Sequence, residues 1–296
     1  VSLYANLSQV KELLTSSEAA PDRTDYDDAL YELIETASRR VDDYFFKDRP
    51  MFAPYTETRR FPVMDGNVNS AQHTFRFGDS LLELTAVNAT GTALTLTTHV
   101  TAYPDSTRPP FNQLLLREDA TIASWYTRNC SGSASDVPTY VDVTGVWGFH
   151  RNYAKAWKAV DTLAAAMSDT TTKTLTVGNV DGANLSLISP RIDRGSILKI
   201  DSEVLNVVGV NTNTNVITVE ERGANGTTAA THTNGSTVSV WQVEPAVRFA
   251  VSRQAGLLLS RRGAYVTVEI TGGGALMYPS DWLWEVKNVM ARYGYD

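Results

Sequence analysis

Four histidines and one cysteine are the residues of this 296-residue chain best suited to metal or nucleophilic chemistry, and their spacing serves neither. His73, His99, His150 and His232 stand far apart, and none lies at ligand spacing to another or to Cys130. A zinc site would have to be assembled from distant positions. The lone thiol leaves no intrachain disulfide and fits a reducing compartment. The sequence holds no Gly-x-Ser-x-Gly elbow and no glycine-rich phosphate loop ending in Lys-Ser/Thr. Gly272-Gly273-Gly274 lacks the strand, glycine, helix order of a dinucleotide site and reads as a turn.

The acidic pairs Asp27-Asp28, Asp42-Asp43 and Glu220-Glu221 invite a general acid and base. Neighbours on a helix point about 100° apart, so such pairs rarely share a site, and solvated surface is the expectation for all three. Asp193, Asp201 and Glu203 do not fit a calcium-loop spacing. Arg39-Arg40, Arg59-Arg60 and Arg261-Arg262 could touch phosphate, but ion pairs with carboxylates of the same or a neighbouring chain are the commoner use. No catalytic residue, metal ligand or cofactor-binding residue is assigned, no cofactor is expected, and the chain reads as a non-enzyme.

Composition agrees with a folded protein: 43% apolar and 20% charged residues. The 33 acidic residues outnumber the 26 basic ones, for a formal charge of -7. A sequence-independent DNA clamp needs a basic footprint, so the balance argues against clamping, although not against DNA sliding past. No apolar run reaches membrane-spanning length, and no basic-then-apolar leader opens the sequence, so neither a membrane partner nor a signal peptide is expected.

The elements come in three blocks. Ser8 is placed to cap a short helix over Gln9–Leu14. A stronger helix is expected over Tyr26–Phe46, with Thr24 or Asp25 as cap and an apolar stripe of Leu30, Leu33, Ile34, Ala37, Val41, Tyr44 and Phe45. Each buried Leu or Ile there contributes roughly 1.5–3 kcal/mol before the entropy of ordering it, so the stripe requires a partner layer. The expected partner is a small sheet from 57 to 147, with strands near Leu82–Ala86, Leu94–Leu96, Gln113–Leu116, Ala123–Thr127 and Tyr140–Trp147. The Pro104 to Pro110 stretch must be an irregular loop. Ala154–Met167 reads as an alanine-rich helix and 168–172 as a linker. From Thr174 to Val243 the period changes to two, with Asn-Gly turn signals, which suggests an inserted all-β barrel or sandwich. Helical spacing resumes at Pro245 with Val247, Ala250, Val251, Leu257 and Leu258 on the core face. A short strand over Tyr265–Ile270 follows, and a last helix begins near Ser280 or Asp281, with Trp282, Leu283, Val286, Val289, Met290 and Tyr293 along one side. The fold class is therefore α+β: a small helical core (1–168 with 244–296) carrying a short antiparallel sheet, plus an inserted β-rich module (169–243).

Several large apolar residues fall off these stripes. Phe46, Phe249, Leu259 and Trp284 do so by helical geometry. A helix apolar on more than one side is packed on more than one side, and exposed large apolar groups mark interaction surfaces. Together with Tyr293 and Tyr295 in the C-terminal segment, these are the candidate contact residues. The alternative is that the rest of the chain covers them.

The ordered motifs resemble the head–tail connector (adaptor, or head-completion) proteins of long-tailed bacteriophages. Leu30-Tyr31-Glu32-Leu33-Ile34-Glu35-Thr36-Ala37-Ser38-Arg39-Arg40-Val41-Asp42 resembles that family's first long helix, and Glu57-Thr58-Arg59-Arg60-Phe61 its first strand. Thr144-Gly145-Val146-Trp147-Gly148-Phe149 resembles its glycine-tryptophan turn, and Glu244-Pro245 to Arg262 with Pro279 to Tyr293 its closing helices. The likeness covers both ends, about two thirds of the chain. Compact members lack the stretch from about Tyr153 to Val243. Within it, Ile200-Asp201-Ser202-Glu203 and Arg222-Gly223-Ala224-Asn225-Gly226-Thr227-Thr228-Ala229, with His232 and Gly235, resemble a β-module of several phage structural proteins.

The resemblance implies a virion structural protein made in the host cytoplasm and placed in the neck between capsid and tail. It would form a homo-oligomeric ring, dodecameric in the family, below the portal protein. It would extend the DNA channel, let DNA pass without sequence-specific binding, and meet a tail-side stopper or tail terminator protein. A ring needs two complementary faces on every subunit. The alternative is a particle-surface binding or decoration module acting through the inserted β domain.

Overall fold

The structure is a computed structural model. It describes residues 2–14, 24–45, 49–63, 67–69, 73–89, 91–104, 107–117, 140–183, 190–260, 269–270, 276–277 and 282–293. In chain order the elements are α1 (Leu7–Leu14), α2 (Asp27–Tyr44), β1 (Tyr55–Pro62), β2 (Val68–Asn69), β3 (Thr74–Ala89), β4 (Thr92–Leu94), β5 (Val100–Tyr103), β6 (Phe111–Leu116) and β7 (Tyr140–Trp147). They continue with β8 (Trp157–Thr162), β9 (Thr174–Thr176), β10 (Ile197–Ile200), β11 (Glu203–Asn211), β12 (Val216–Val219), β13 (Thr237–Trp241), α3 (Pro245–Ser260), β14 (Glu269–Ile270), β15 (Leu276–Met277) and α4 (Trp284–Ala291). Helices and antiparallel sheets make the chain α+β.

The chain divides into two compact units, Met51–Ala156 and Val1–Pro50 with Trp157–Asp296. These boundaries differ from the expected 168/169 and 243/244. The reason is β8. Its alanines suggested a helix, yet Trp157–Thr162 pairs with β13 as a strand, with Trp157 opposite Trp241 and their rings 5.1 Å apart. Cross-strand packing of the two indoles outweighs the helical preference of alanine.

The Met51–Ala156 unit is a seven-stranded antiparallel sheet whose main path runs β1-β7-β3-β6-β5. Its core gathers Phe75, Leu81, Val100, Leu114, Leu116, Val141, Val143 and Trp147. Phe61 and Phe77 stack around Trp147 at 5.7 and 5.4 Å, and the indole N–H donates to the Glu57 carbonyl at 3.1 Å. Gly145 is obligatory in this sheet, because a Cβ there would lie 2.0 Å from the Glu83 carbonyl oxygen where β3 bulges over β7. The expected strand over 123–127 lies outside the described residues.

The other unit joins helices to a six-stranded antiparallel sheet of order β8-β13-β10-β11-β12-β9. The sheet is open. Its two edges meet at a single bridge, Leu163 to Val177, with Ala164 N–H donating to Thr176 O at 2.9 Å and Gly178 N–H to Thr162 O at 3.1 Å. It curls until its edges touch, without the ladder of a closed barrel. Its core is Leu163, Leu175, Val177, Ile192, Leu198, Ile200, Leu205, Val207, Ile217, Val219 and Val238.

The layer over the α2 stripe is helical: α3 packs against α2, α1 and α4. Leu30, Ile34, Ala37 and Val41 are buried as their spacing predicts, whereas Tyr44 remains 39% exposed. On α3, Val247, Ala250 and Val251 are buried as expected, whereas Leu257 and Leu258 are half-buried and Ser252, Gln254, Ala255 and Gly256 take the interior. Neighbours on several sides explain why the buried positions of α3 are not confined to one apolar stripe.

The helix caps also differ from expectation. Asn6 caps α1, accepting from Gln9 N–H at 2.9 Å while its own N–H reaches Gln9 Oε1 at 3.1 Å, a reciprocal capping box. The Ser8 hydroxyl donates instead to Asp193. Helix α2 starts at Asp27 behind Tyr26 with no side-chain cap, and α4 starts at Trp284 behind Leu283.

Candidate functional site

The densest polar constellation among the described residues sits in the six-stranded sheet. A two-residue turn, Asp201-Ser202, joins β10 to β11, and Asp201 adopts a left-handed φ of +52°. Glu203 follows immediately, with its side chain inside the module. The loop after β12 brings Arg222 and Gly223. Gly223 has φ +66°, and a Cβ would strike Ala229 N at 2.6 Å, so the tight return of this loop depends on glycine. His232 is fixed through its backbone, exchanging hydrogen bonds of 2.9 Å with Met167.

These residues converge on one carboxylate. Arg222 grips Glu203 bidentately, Nε to Oε1 at 2.8 Å and Nη2 to Oε2 at 2.9 Å. Gly223 N–H donates to Oε1 at 2.8 Å and Ala230 N–H to Oε2 at 3.1 Å. The His232 ring lies between two acids, Nε2 2.8 Å from Glu203 Oε2 and Nδ1 2.8 Å from Asp201 Oδ2. The Glu203, Arg222 and His232 side chains are 0%, 3% and 1% exposed, and Asp201 alone opens to solvent. Burial pushes the Glu203 carboxyl up, but Arg222, His232 and the two backbone N–H groups together hold it down at about 2.

Arg222 reaches further, donating to the carbonyls of Asp169 and Thr172, both at 3.1 Å. The stretch expected to be a linker is therefore a built turn. Asp169 accepts from Thr172 N–H at 2.6 Å, Thr172 hydroxyl at 2.7 Å and Thr171 N–H at 2.7 Å, which hold its carboxyl far below the usual range.

An Asp–His–Glu–Arg set has the residue types of acid–base machinery. A general base needs a free lone pair within reach of a substrate proton, and a nucleophile needs a base beside it. Here both imidazole nitrogens face carboxylates, and both Glu203 oxygens are held by several donors inside the fold. The geometry is that of a clasp closing the Asp201 turn, the Arg222–Ala230 loop and the Asp169 turn onto one another. The sequence reading weighed Glu203 and Asp201 as calcium ligands and grouped them with Arg222 and His232 in a β-module resemblance, without pairing them. The signal it had was the run from Arg222 to His232, which hints at a loop with a purpose but names no partner.

The acidic and arginine pairs resolve unevenly. Asp42 is a correction to the solvated-surface reading: it is 3% exposed and accepts from the Tyr4 hydroxyl and from Arg39. Asp27 pairs with Lys11 and Asp28 with Arg194. Arg59 pairs with Glu57 and Asp79, and Arg60 with Asp142, so these arginines serve carboxylates of their own chain. Arg261 and Arg262 lie outside the described residues. No group of three or more His, Cys, Asp or Glu side chains among the described residues is arranged to hold a metal. No described helix is long and apolar enough to cross a membrane.

The candidate contact residues separate. Trp284 is 75% exposed at the first turn of α4, and Phe249 is 48% exposed on α3. Leu259 is half-buried. Tyr293 is a correction: at 5% exposure it belongs to the core beside Val286 and Met290. Phe46 and Tyr295 lie outside the described residues. Helices α3 and α4 are tied by Leu283 N–H donating to Gln254 Oε1 at 3.2 Å and by Arg253 with Glu285 at 3.4 Å. Tyr26 and Tyr44 join the exposed large apolar set, and the Tyr44 ring lies 6.2 Å from that of Trp282.

Comparison with protein-family models, with curated proteins and with solved structures returns no match.

Proposed function

We propose that this chain is a structural subunit of a tailed-phage virion, a head–tail adaptor that works as a ring below the portal protein. The observation that carries the reading is the state of α3 and α4. Both helices are packed within the chain, yet Phe249 keeps about half and Trp284 most of its surface in water. Large apolar groups left outside a finished core are stabilised only when a further surface covers them, and tryptophan is prominent among residues that anchor interfaces. The ordered motif resemblance supports the adaptor role, and the acidic balance of -7 suits a channel that must not retain DNA. The portal protein on one side and a stopper or tail terminator on the other are the partners this role requires.

The decisive experiment is native mass measurement and imaging of isolated virion necks. A ring of this subunit between portal and tail is the expected result. Finding the chain confined to the tail tip would overturn the proposal.

A further inference from the structure

A small cavity lies within the Val1–Pro50 and Trp157–Asp296 unit, where the buried N-terminal segment meets β8, β10, β13 and α3. Its volume is about 40 Å³. Asn6, Gln9, Ser196 and Gln242 contribute polar groups to the lining, and two arginines, Arg191 and Arg248, supply its charge. No Asp or Glu among the described residues lines it.

Both arginines are short of partners. Arg191 Nη1 donates to the Val160 carbonyl at 2.8 Å, while its buried Nε has no hydrogen-bond partner among the described residues. The Arg248 guanidinium has no hydrogen-bonded or ion-paired side-chain partner among the described residues. Burial draws it below the ordinary arginine value, and the field of Glu12 offsets this only in part. Arginine does not escape such a place by losing its proton. A half-buried cation whose charge Glu12 offsets only in part keeps a desolvation cost, so an anion that fits has a reason to enter.

We propose that this cavity is a binding site for a small free oxyanion of the phosphate or carboxylate type, held by Arg191 and Arg248. Guanidinium groups match such ions because their N–H forks meet oxygen pairs. The space also selects. At roughly 10–15 Å³ of such volume per water, it has room for about three or four water-sized atoms, against four non-hydrogen atoms in acetate and five in phosphate, and far fewer than in a nucleotide. The bound ion would neutralise the junction between the N-terminal segment, the β-module and α3. This site is independent of the assembly reading.

Thermal unfolding of the full chain in phosphate, in acetate and in chloride, at matched ionic strength and pH 7, tests it. The unfolding midpoint rises with phosphate or acetate and saturates, by about 5 °C at a hundredfold excess over the dissociation constant. Arg248→Met loses the saturating rise, while Arg253→Met, on the exposed side of α3, keeps it. The ion that saturates at the lower concentration identifies the occupant class. A rise that never saturates, or that is equal in the native chain and Arg248→Met, is general salting and overturns the proposal. Should Arg248→Met fail to fold, titration calorimetry on the native chain decides. A saturable heat for one phosphate or acetate per chain supports the site, and no heat for either rejects it.

Discussion

Two arginine–carboxylate pairs of matching geometry belong to the two larger sheets of this chain. In the seven-stranded sheet Arg60 holds Asp142 through Nε at 2.7 Å and Nη2 at 2.8 Å. In the six-stranded sheet Arg222 holds Glu203 at 2.8 and 2.9 Å. The surroundings differ completely. Arg60 and Asp142 are 63% and 18% exposed, with the guanidinium 3.9 Å from the Tyr140 ring centroid. Arg222 and Glu203 are 3% and 0% exposed, and backbone N–H groups and His232 complete the carboxylate shell. Water can replace either partner of the outer pair. Nothing can replace a partner of the inner one, so removing it leaves an uncompensated charge. Distance alone does not rank an ion pair; the cost of breaking it does.

The largest expected effect tests that ranking directly. Arg222→Met should destabilise the chain by about 3–5 kcal/mol in denaturant unfolding, because Glu203 stays buried without its cation. Acid should expose the same pair. Glu203 is held at about 2, below the 4.5 of an ordinary glutamate, so the unfolded chain binds a proton first as pH falls. Its stabilisation is complete above about pH 4.5 and is lost towards pH 2. Unfolding of the native chain should therefore steepen against pH in that window, and Glu203→Gln should remove that part of the slope. If Glu203→Gln leaves the slope unchanged, the clasp is not what acid opens.

The same contrast of setting over residue type holds on α4. Met290, buried beside Val286 and Tyr293, should cost about 2–4 kcal/mol when cut to alanine. For Asp142→Asn, in the outer pair, calorimetry should find a melting shift of no more than about 1–2 °C, smaller still in high salt. A larger loss would place the outer pair with the inner one and break the comparison. The smallest effect on folding belongs to Trp284→Ala, within about 0.5 kcal/mol, since a side chain 75% exposed has little contact to lose. Its effect should appear in assembly, as subunits that fold normally but join rings poorly. A stability loss matching that of Met290→Ala would make Trp284 ordinary core.

Some of this was legible in the residues. Local periodicity placed α2, the proline start of α3 and β7, because helical and strand spacing are written within a few positions. It also marked Trp284 and Phe249 as standing off their stripes. It failed at β8, where the alanines favoured a helix and Trp241, far away in sequence, decided for a strand. It failed at Tyr293, which satisfies helical spacing and was nonetheless offered as a contact. The pairing within the clasp was hidden: the β-module resemblance grouped Asp201, Glu203, Arg222 and His232, but they come from separate loops and strands, and no spacing rule says which touches which.

By itself, then, the order of residues determined where most helices and strands fall, which faces of α2 and β7 are apolar, and that titratable groups do not cluster along the chain. The tertiary structure alone decided which carboxylate is enclosed by five donors' worth of protein, which arginines line an interior cavity, and which aromatic groups stay wet. The physical reason is the range of the forces. Backbone preference and amphipathic spacing act between near neighbours, whereas desolvation and charge pairing depend on every atom the fold brings close, whatever its place in the sequence.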